Sequence, residues 1–503
     1  MPYTNPILRG MNPDPSICRA GEDYYLATST MGYYPGVPIY HSKDLVHWRL
    51  IGHCLTRPAH FQPEKTNGAP MIFAPTLRYH DGLFTMITTN VHGGGNFYVT
   101  ATDPAGPWSD PICVDQEVFD PSLLFDDDGK VYYCRRGSFR NKDIVQAEID
   151  IKTGKLLSEF RSIGVGMVSD DAEAPHVYHI GDWYYLMLAE GGSRFLHMET
   201  AGRARSPWGP FEPCPHNPVL AQHTAWWRHV RSVGHSDLVE AVDGTWWAVF
   251  LGTRHASYDA LTLLGRETFL ARVDWVEGWP VFDRQAMQQL SIDTPVPPAH
   301  PWPPEPDCDD FDTGTLGLEW TQLAVPIEGV VDLQSRPGFL RLHGQAGFDT
   351  RGSAFVGVRQ RDLSFTANAL LEFDPTADNE EAGVSVFQTL TYRYDMCITR
   401  RMGQRVVCLR KTVGDMIQEA PTIAVSEGAL ELRIEGDPNS YAFAIRSQGA
   451  AEWTTVGTGL TQLLAAEVAG TWTGIFLGLY STGNGLPCRK PVDIDWFEYT
   501  SRE

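Results

Sequence analysis

The 503-residue chain is predicted to be all-β: a five-bladed β-propeller over residues 1–292 followed by a β-sandwich over residues 307–503. Three observations predict this. A turn-and-strand unit recurs five times, a proline-rich stretch follows the last copy, and segments of alternating apolar and polar residues fill the remainder.

The repeat is a Gly/Asp turn leading into aromatic and β-branched residues. Its copies are Gly21-Glu22-Asp23-Tyr24-Tyr25, Asp81-Gly82-Leu83-Phe84-Thr85, Asp128-Gly129-Lys130-Val131-Tyr132, Gly181-Asp182-Trp183-Tyr184-Tyr185 and Asp243-Gly244-Thr245-Trp246-Trp247. Spacings of 47 to 62 residues suit a four-stranded antiparallel blade with loops. Upstream of each turn lies the strand that would complete the hairpin, in segments containing Asp14-Pro15-Ser16, Ala74-Pro75-Thr76, Asp120-Pro121-Ser122, Glu173-Ala174-Pro175 and His235-Ser236-Asp237. In four of the five, a proline holds its predecessor extended and removes a backbone donor, which suits a strand start. Equivalent strands around one axis would put Asp14, Asp120, Glu173 and His235 in matching places at one mouth of the channel. Singly, each acid reads as an ordinary surface turn residue; the repeat is what makes them candidates. Asp126, Asp127 and Asp128 read as solvated loop charges.

Residues 293–306 hold prolines at 295, 297, 298, 301, 303, 304 and 306 and are predicted to be an extended linker. Beyond it, Phe339-Leu340-Arg341-Leu342, Ala369-Leu370-Leu371-Glu372-Phe373 and Ala429-Leu430-Glu431-Leu432-Arg433-Ile434 alternate as strands of a sandwich do.

A net charge of -22 repels phosphate backbones and anionic lipid, so nucleic acid and membrane partners are disfavoured, whereas a neutral sugar is indifferent to that field. The opening residues lack a signal-like apolar run and no stretch reaches the length of a membrane span, which points to the cytoplasm. Nine scattered cysteines without a CxxC pair indicate neither a zinc site nor a disulfide framework. His92-Gly93-Gly94-Gly95-Asn96 is similar to an esterase oxyanion loop, but no GxSxG elbow accompanies it. Walker, dinucleotide and HExxH motifs are also missing.

The order of Asn12-Pro13-Asp14-Pro15-Ser16, His41-Ser42-Lys43-Asp44-Leu45, Ala74-Pro75-Thr76-Leu77-Arg78-Tyr79, Phe119-Asp120-Pro121-Ser122-Leu123, Glu173-Ala174-Pro175-His176, Ala189-Glu190-Gly191-Gly192 and Leu264-Gly265-Arg266-Glu267-Thr268 closely resembles glycoside hydrolase family 43, in the β-xylosidase and α-L-arabinofuranosidase branch with a C-terminal concanavalin-like sandwich. The resemblance implies an inverting, exo-acting enzyme that releases terminal xylose from xylo-oligosaccharides or arabinofuranose from arabinoxylan-type substrates. It makes Asp14 the general base, Glu173 the general acid, and Asp120 the group that orients the acid and keeps it protonated. Arg266 becomes the substrate-contacting arginine. His235 supports the site and is a candidate metal neighbour. Met31 and Phe73 stand where many relatives carry phenylalanine and tryptophan against the terminal sugar, and Trp472 is the candidate aromatic lent to the rim by the second domain. No cofactor is implied for catalysis, with room left for a structural calcium ion in the channel and for a homo-oligomer.

Hydrolysis needs a proton for the leaving oxygen and an activated water, hence one protonated and one ionised carboxyl together. A third anion beside Glu173 would hold it protonated by repulsion. The alternatives are a glycosidase of the same family with another sugar preference and, as a rival class, a propeller that binds carbohydrate without cleaving it. The presence of all three acids argues against that.

Overall fold

Each of the five repeats forms one antiparallel sheet in the computed structural model, which describes residues 2–61, 69–138, 142–223, 227–347 and 353–503. The first strands of the blades are Ser16–Ala20, Thr76–His80, Ser122–Phe125, Ala172–Ile180 and Val230–Glu240. Each pairs with the aromatic-rich strand after its turn: Asp23–Ala27, Leu83–Asn90, Val131–Arg136, Trp183–Glu190 and Trp246–Arg254. The turns carry Gly21, Gly82, Gly129, Gly181 and Gly244 at φ between 60° and 82°, a left-handed backbone that glycine adopts without strain.

The second strands of the blades are buried on both faces, and Leu26, Trp247, Ala248, Val249, Phe250 and Phe269 belong to one continuous core. The N-terminal segment runs beside the last blade, where Leu8 bridges to Thr268. Tyr3–Thr4 pairs with Ser291–Ile292, and the Asn5 amide brackets Leu270, accepting from its N–H and donating to its carbonyl at 2.9 Å each.

One turn departs from the sequence expectation. Asp127 and Asp128 are exposed, but Asp126 is 5% exposed. It is hydrogen-bonded to the His179 ring at 2.6 Å and accepts from the Tyr184 hydroxyl at 2.8 Å, so it staples the third blade to the fourth. A buried carboxylate is tolerated because both oxygens are bonded.

By internal contacts the chain divides into two units. The first is Met1–Asp259 with Arg266–Trp302, and the second is Pro303–Glu503 with the short segment Ala260–Gly265. In the second unit one antiparallel sheet runs, in spatial order, through Leu340–Leu342, Val492–Ser501, Phe365–Glu372, Leu430–Gly436, Ser440–Ser447 and Thr454–Leu460. The other runs through Gln404–Val413, Tyr392–Arg401, Glu381–Thr389, Phe476–Thr482 and Ala354–Arg359. Phe365, Tyr394, Phe443, Leu477 and Ile494 share its core. Leu263, from the inserted segment, is buried among them. Its neighbour Thr262 donates from N–H and hydroxyl to the Glu467 carboxylate.

Candidate active site

The pairing registers show which residues of the five first strands are equivalent. Ser16, Thr76, Ser122, His176 and Asp237 lie opposite Ala27, Ile87, Cys134, Met187 and Val249. Two residues earlier stand Asp14, Ala74, Asp120, Ala174 and His235, and three earlier stand Pro13, Phe73, Phe119, Glu173 and Gly234. Asp14, Asp120 and His235 therefore match, as expected, but Glu173 is displaced by one position and Ala174 occupies the matching place. Between the pairs Glu173↔Ala189 and His176↔Met187 the first strand carries one extra residue, a bulge that the fifth blade shares between Gly234↔Leu251 and Asp237↔Val249. Asp14, Asp120, Ala174 and His235 all have φ between 49° and 58°, a region in which Asp and His are tolerated better than most residues.

Asp14 is buried and fully bonded. Arg266 donates to both of its oxygens, at 2.6 and 3.4 Å, and the Ser29 hydroxyl donates at 2.6 Å. Burial pushes this carboxyl up, but Arg266 and the other favourable partners outweigh it and leave Asp14 below the usual carboxylate range. His235 Nδ1 lies 3.7 Å from Asp14. Burial holds its imidazole below its ordinary value despite that carboxylate, so it stays neutral at neutral pH.

Glu173 and Asp120 behave oppositely. Burial, then the Asp171 and Asp14 carboxylates, push Glu173 up to about 7 against the pull of Arg136 and Arg266. Asp120 is pushed well above the carboxylate range by burial, by Glu173 and by Asp14. The Ala174 N–H donates to Asp120 at 3.1 Å, and Arg136 donates to Glu173 at 3.3 Å. Asp120 and Glu173 are thus two buried carboxyls that are both pushed up, with the Glu173 charge acting on Asp120.

Beneath the acids the next tier forms a polar floor. Arg78 donates to Asp237 at 2.7 Å and to His176 Nδ1 at 2.9 Å, while Ser16 and Tyr178 donate their hydroxyls to Asp237 at 2.6 and 2.5 Å. Burial drops His176 to about 3, which leaves its ring nitrogen free to accept from the guanidinium. At the far ends of the same strands, past this floor, lies a cavity of about 330 Å3 lined by Cys18, Arg78, His80, Tyr178 and Glu240 among others.

Of the expected sugar-contacting residues, Phe73 packs its ring 5.8 Å from Phe119, both in the tier that holds Glu173. Met31 is buried and forms a backbone bridge with Ile72. Trp472, in the second unit, is 49% exposed and is therefore not a core tryptophan. Arg266 is engaged with Asp14. Among the described residues no three His, Cys, Asp or Glu side chains gather to hold a metal ion. His235 stands between the Asp14 carboxylate and the Arg266 charge. Sequence reasoning missed Arg136, Asp171 and Ser29, which lie outside the matched positions of the repeat, and gave no role to Arg78 and Asp237, although both stand in segments it singled out.

A propeller that gathers one carboxyl held below the usual range and two pushed above it carries the equipment of a glycoside hydrolase. The comparisons agree. Residues 3–280 match the model of glycosyl hydrolases family 43, and residues 308–500 match the beta xylosidase C-terminal concanavalin A-like domain; the chain belongs to that family. It is 44% identical to a non-reducing end α-L-arabinofuranosidase of Bacteroides ovatus, over 99% of this chain and 94% of the relative. The solved structure of a family 43 protein from a xyloglucan locus of Bacteroides ovatus superposes with a TM-score of 0.94 at 43% identity, covering 99% of both chains. A xylan β-1,4-xylosidase from Bacillus halodurans superposes with a TM-score of 0.92 at 32% identity, covering 99% of this chain and all of that one. No helix among the described residues is long and apolar enough to cross a membrane.

Proposed function

We propose that the protein is an exo-acting glycosidase that removes terminal α-L-arabinofuranose or β-xylose from oligosaccharides with inversion, using Asp14 as base and Glu173 as acid. One observation carries the reading: the site holds Asp14 ionised through Arg266 while Glu173 is pushed up to about 7, which is the pairing an acid–base hydrolysis needs near neutral pH. Asp14 draws a proton from water as the water attacks the anomeric carbon, and Glu173 gives its proton to the departing oxygen. Asp120 backs Glu173 by disfavouring a second negative charge. Phe73 and Met31 offer apolar surface to the sugar, and Trp472 is proposed as a rim residue. The family hydrolyses glycosides without a cofactor.

The 44% identity to an arabinofuranosidase tips the sugar preference toward arabinofuranose. Parallel assays on 4-nitrophenyl α-L-arabinofuranoside and 4-nitrophenyl β-D-xylopyranoside test it, with turnover of neither refuting the proposal. Proton NMR of freshly released sugar tests the stereochemistry. The opposite anomer from that cleaved is expected first, and net retention would remove Asp14 as a base acting on water.

A further inference from the structure

Glu173 has a cationic neighbour that works against an acid. Arg136, at the end of the strand Val131–Arg136, is 5% exposed and donates from one terminal nitrogen to Glu173 at 3.3 Å. A buried guanidinium so close favours the ionised form of a carboxyl, which is the wrong form for a proton donor. The other terminal nitrogen of Arg136 donates to Asp171, and that contact is shorter, at 2.8 Å. The guanidinium is thus shared between two carboxylates and lies nearer the one that takes no part in the chemistry.

Asp171 is held in place from behind. Its N–H donates to the Ser169 hydroxyl at 3.2 Å, and its carbonyl accepts from Gly191 at 3.3 Å. The stretch before it is pinned by the fully buried Glu190, which accepts from the N–H groups of Met167, Val168 and Ser169 at 2.6, 3.0 and 2.5 Å. Arg136 is fixed by its position on the strand and by the Phe119 ring, 5.4 Å from its guanidinium carbon.

We infer that Asp171 is a positioning residue for the general acid: it holds the Arg136 guanidinium between itself and Glu173, drawing the cation's charge away so that Glu173 keeps its proton until the leaving oxygen arrives. Every charged group around the pair fits this arrangement. Glu173 faces Arg136, Asp171, Asp14 and Arg266, and it repels Asp120. Asp171 faces Arg136 and, more weakly, Lys142 at 3.5 Å. Asp14 is already matched by Arg266, which leaves Arg136 as the cation whose share decides how readily Glu173 ionises.

The inference rests on Glu173 being the acid, and the test separates the two claims. The pH dependence of kcat/KM is measured on xylobiose and on an arabinofuranosyl xylo-oligosaccharide, whose poor leaving groups depend on proton donation. In Asp171→Asn the alkaline limb should move down by about half to one pH unit, because Arg136 settles on Glu173. In Arg136→Met it should move up. Adding Asp171→Asn to Arg136→Met should then produce a clearly smaller shift than Asp171→Asn alone, the remainder being direct repulsion between the two carboxylates, since the larger part acts through the cation. An unmoved limb in Asp171→Asn overturns the inference, and that arm stands alone if Arg136→Met fails to fold. An undiminished shift in the double variant also overturns it, by reducing Asp171 to a simple repelling charge. Glu173→Gln measured alongside should abolish the limb. If it does not, Glu173 is not the acid, and the inference falls with the proposed mechanism rather than by itself.

Discussion

Asp14 and Glu173 are both carboxyls withdrawn from water within one site, yet their surroundings drive them in opposite directions. Asp14 lies under a guanidinium that grips both oxygens, with a serine hydroxyl completing the shell, so its charge is compensated where it sits. Glu173 meets a guanidinium that is shared with Asp171, and it also faces Asp14 and the neighbouring Asp120. Burial alone would raise both groups. What separates them is how much of an arginine each one owns: in the proposed mechanism, the partition of two cations among four acids would assign the two roles.

The comparison breaks most visibly when either carboxyl is neutralised. Asp14→Asn and Glu173→Gln should each lower kcat on xylobiose or its arabinofuranosyl counterpart by roughly a thousandfold while the protein stays folded. Near-normal turnover in either would strike that residue from the mechanism. Next in size is Arg266→Met. With its cation gone, burial should lift Asp14, and the acidic limb of kcat/KM should rise by about one to two pH units alongside any increase in KM. A limb that stays put would mean Arg266 serves the substrate alone.

Asp120→Asn sharpens the other half. Removing a buried carboxyl that repels Glu173 should bring the alkaline limb down by about one pH unit. An upward or absent shift would deny the coupling. The smallest effect concerns stability. Folded Glu173, at about 7, lies above the 4.5 of an ordinary glutamate, so the folded state binds a proton more tightly than the unfolded one and loses stability as pH rises from about 4.5 through 7. Glu173→Gln escapes that loss. Its Tm at pH 8 should exceed that of the wild type by a few degrees, about what one or two kcal/mol gives, and the gap should close at pH 4. A gap that is independent of pH would point to packing instead.

Much of this site was legible because a repeat is self-calibrating: five turns at comparable spacing located five strands, and the acids at their starts followed. The position of Glu173 was misjudged by one residue, although the signal existed. Proline follows Asp14, Asp120 and Ala174 directly, so counting from the proline would have placed Ala174, not Glu173, in line with them. Asp126 looked like any turn aspartate because burial was conferred by His179 and Tyr184 of another blade, more than fifty residues away. Arg136 and Asp171 were invisible for a similar reason. Their importance comes from meeting each other across two blades, and pairing across a fold leaves no local pattern.

The segment Ala260–Gly265 gives the molecule an unusual genealogy of parts. In sequence it lies ahead of the linker, but its Leu263 is a core residue of the sandwich, its Thr262 is answered by Glu467, and a side chain at Gly265 would stand 2.7 Å from the backbone nitrogen of Gly474. The prolines at 295–306 are therefore not a line along which the protein can be cut into two exchangeable modules. A chain ended at residue 306 would leave Leu263 without its apolar lodging, and the strip left loose would be the one leading straight into Arg266. A sandwich exchanged into this protein has to bring its own partner for the 260–265 segment, because Leu263 and Thr262 are answered from within it.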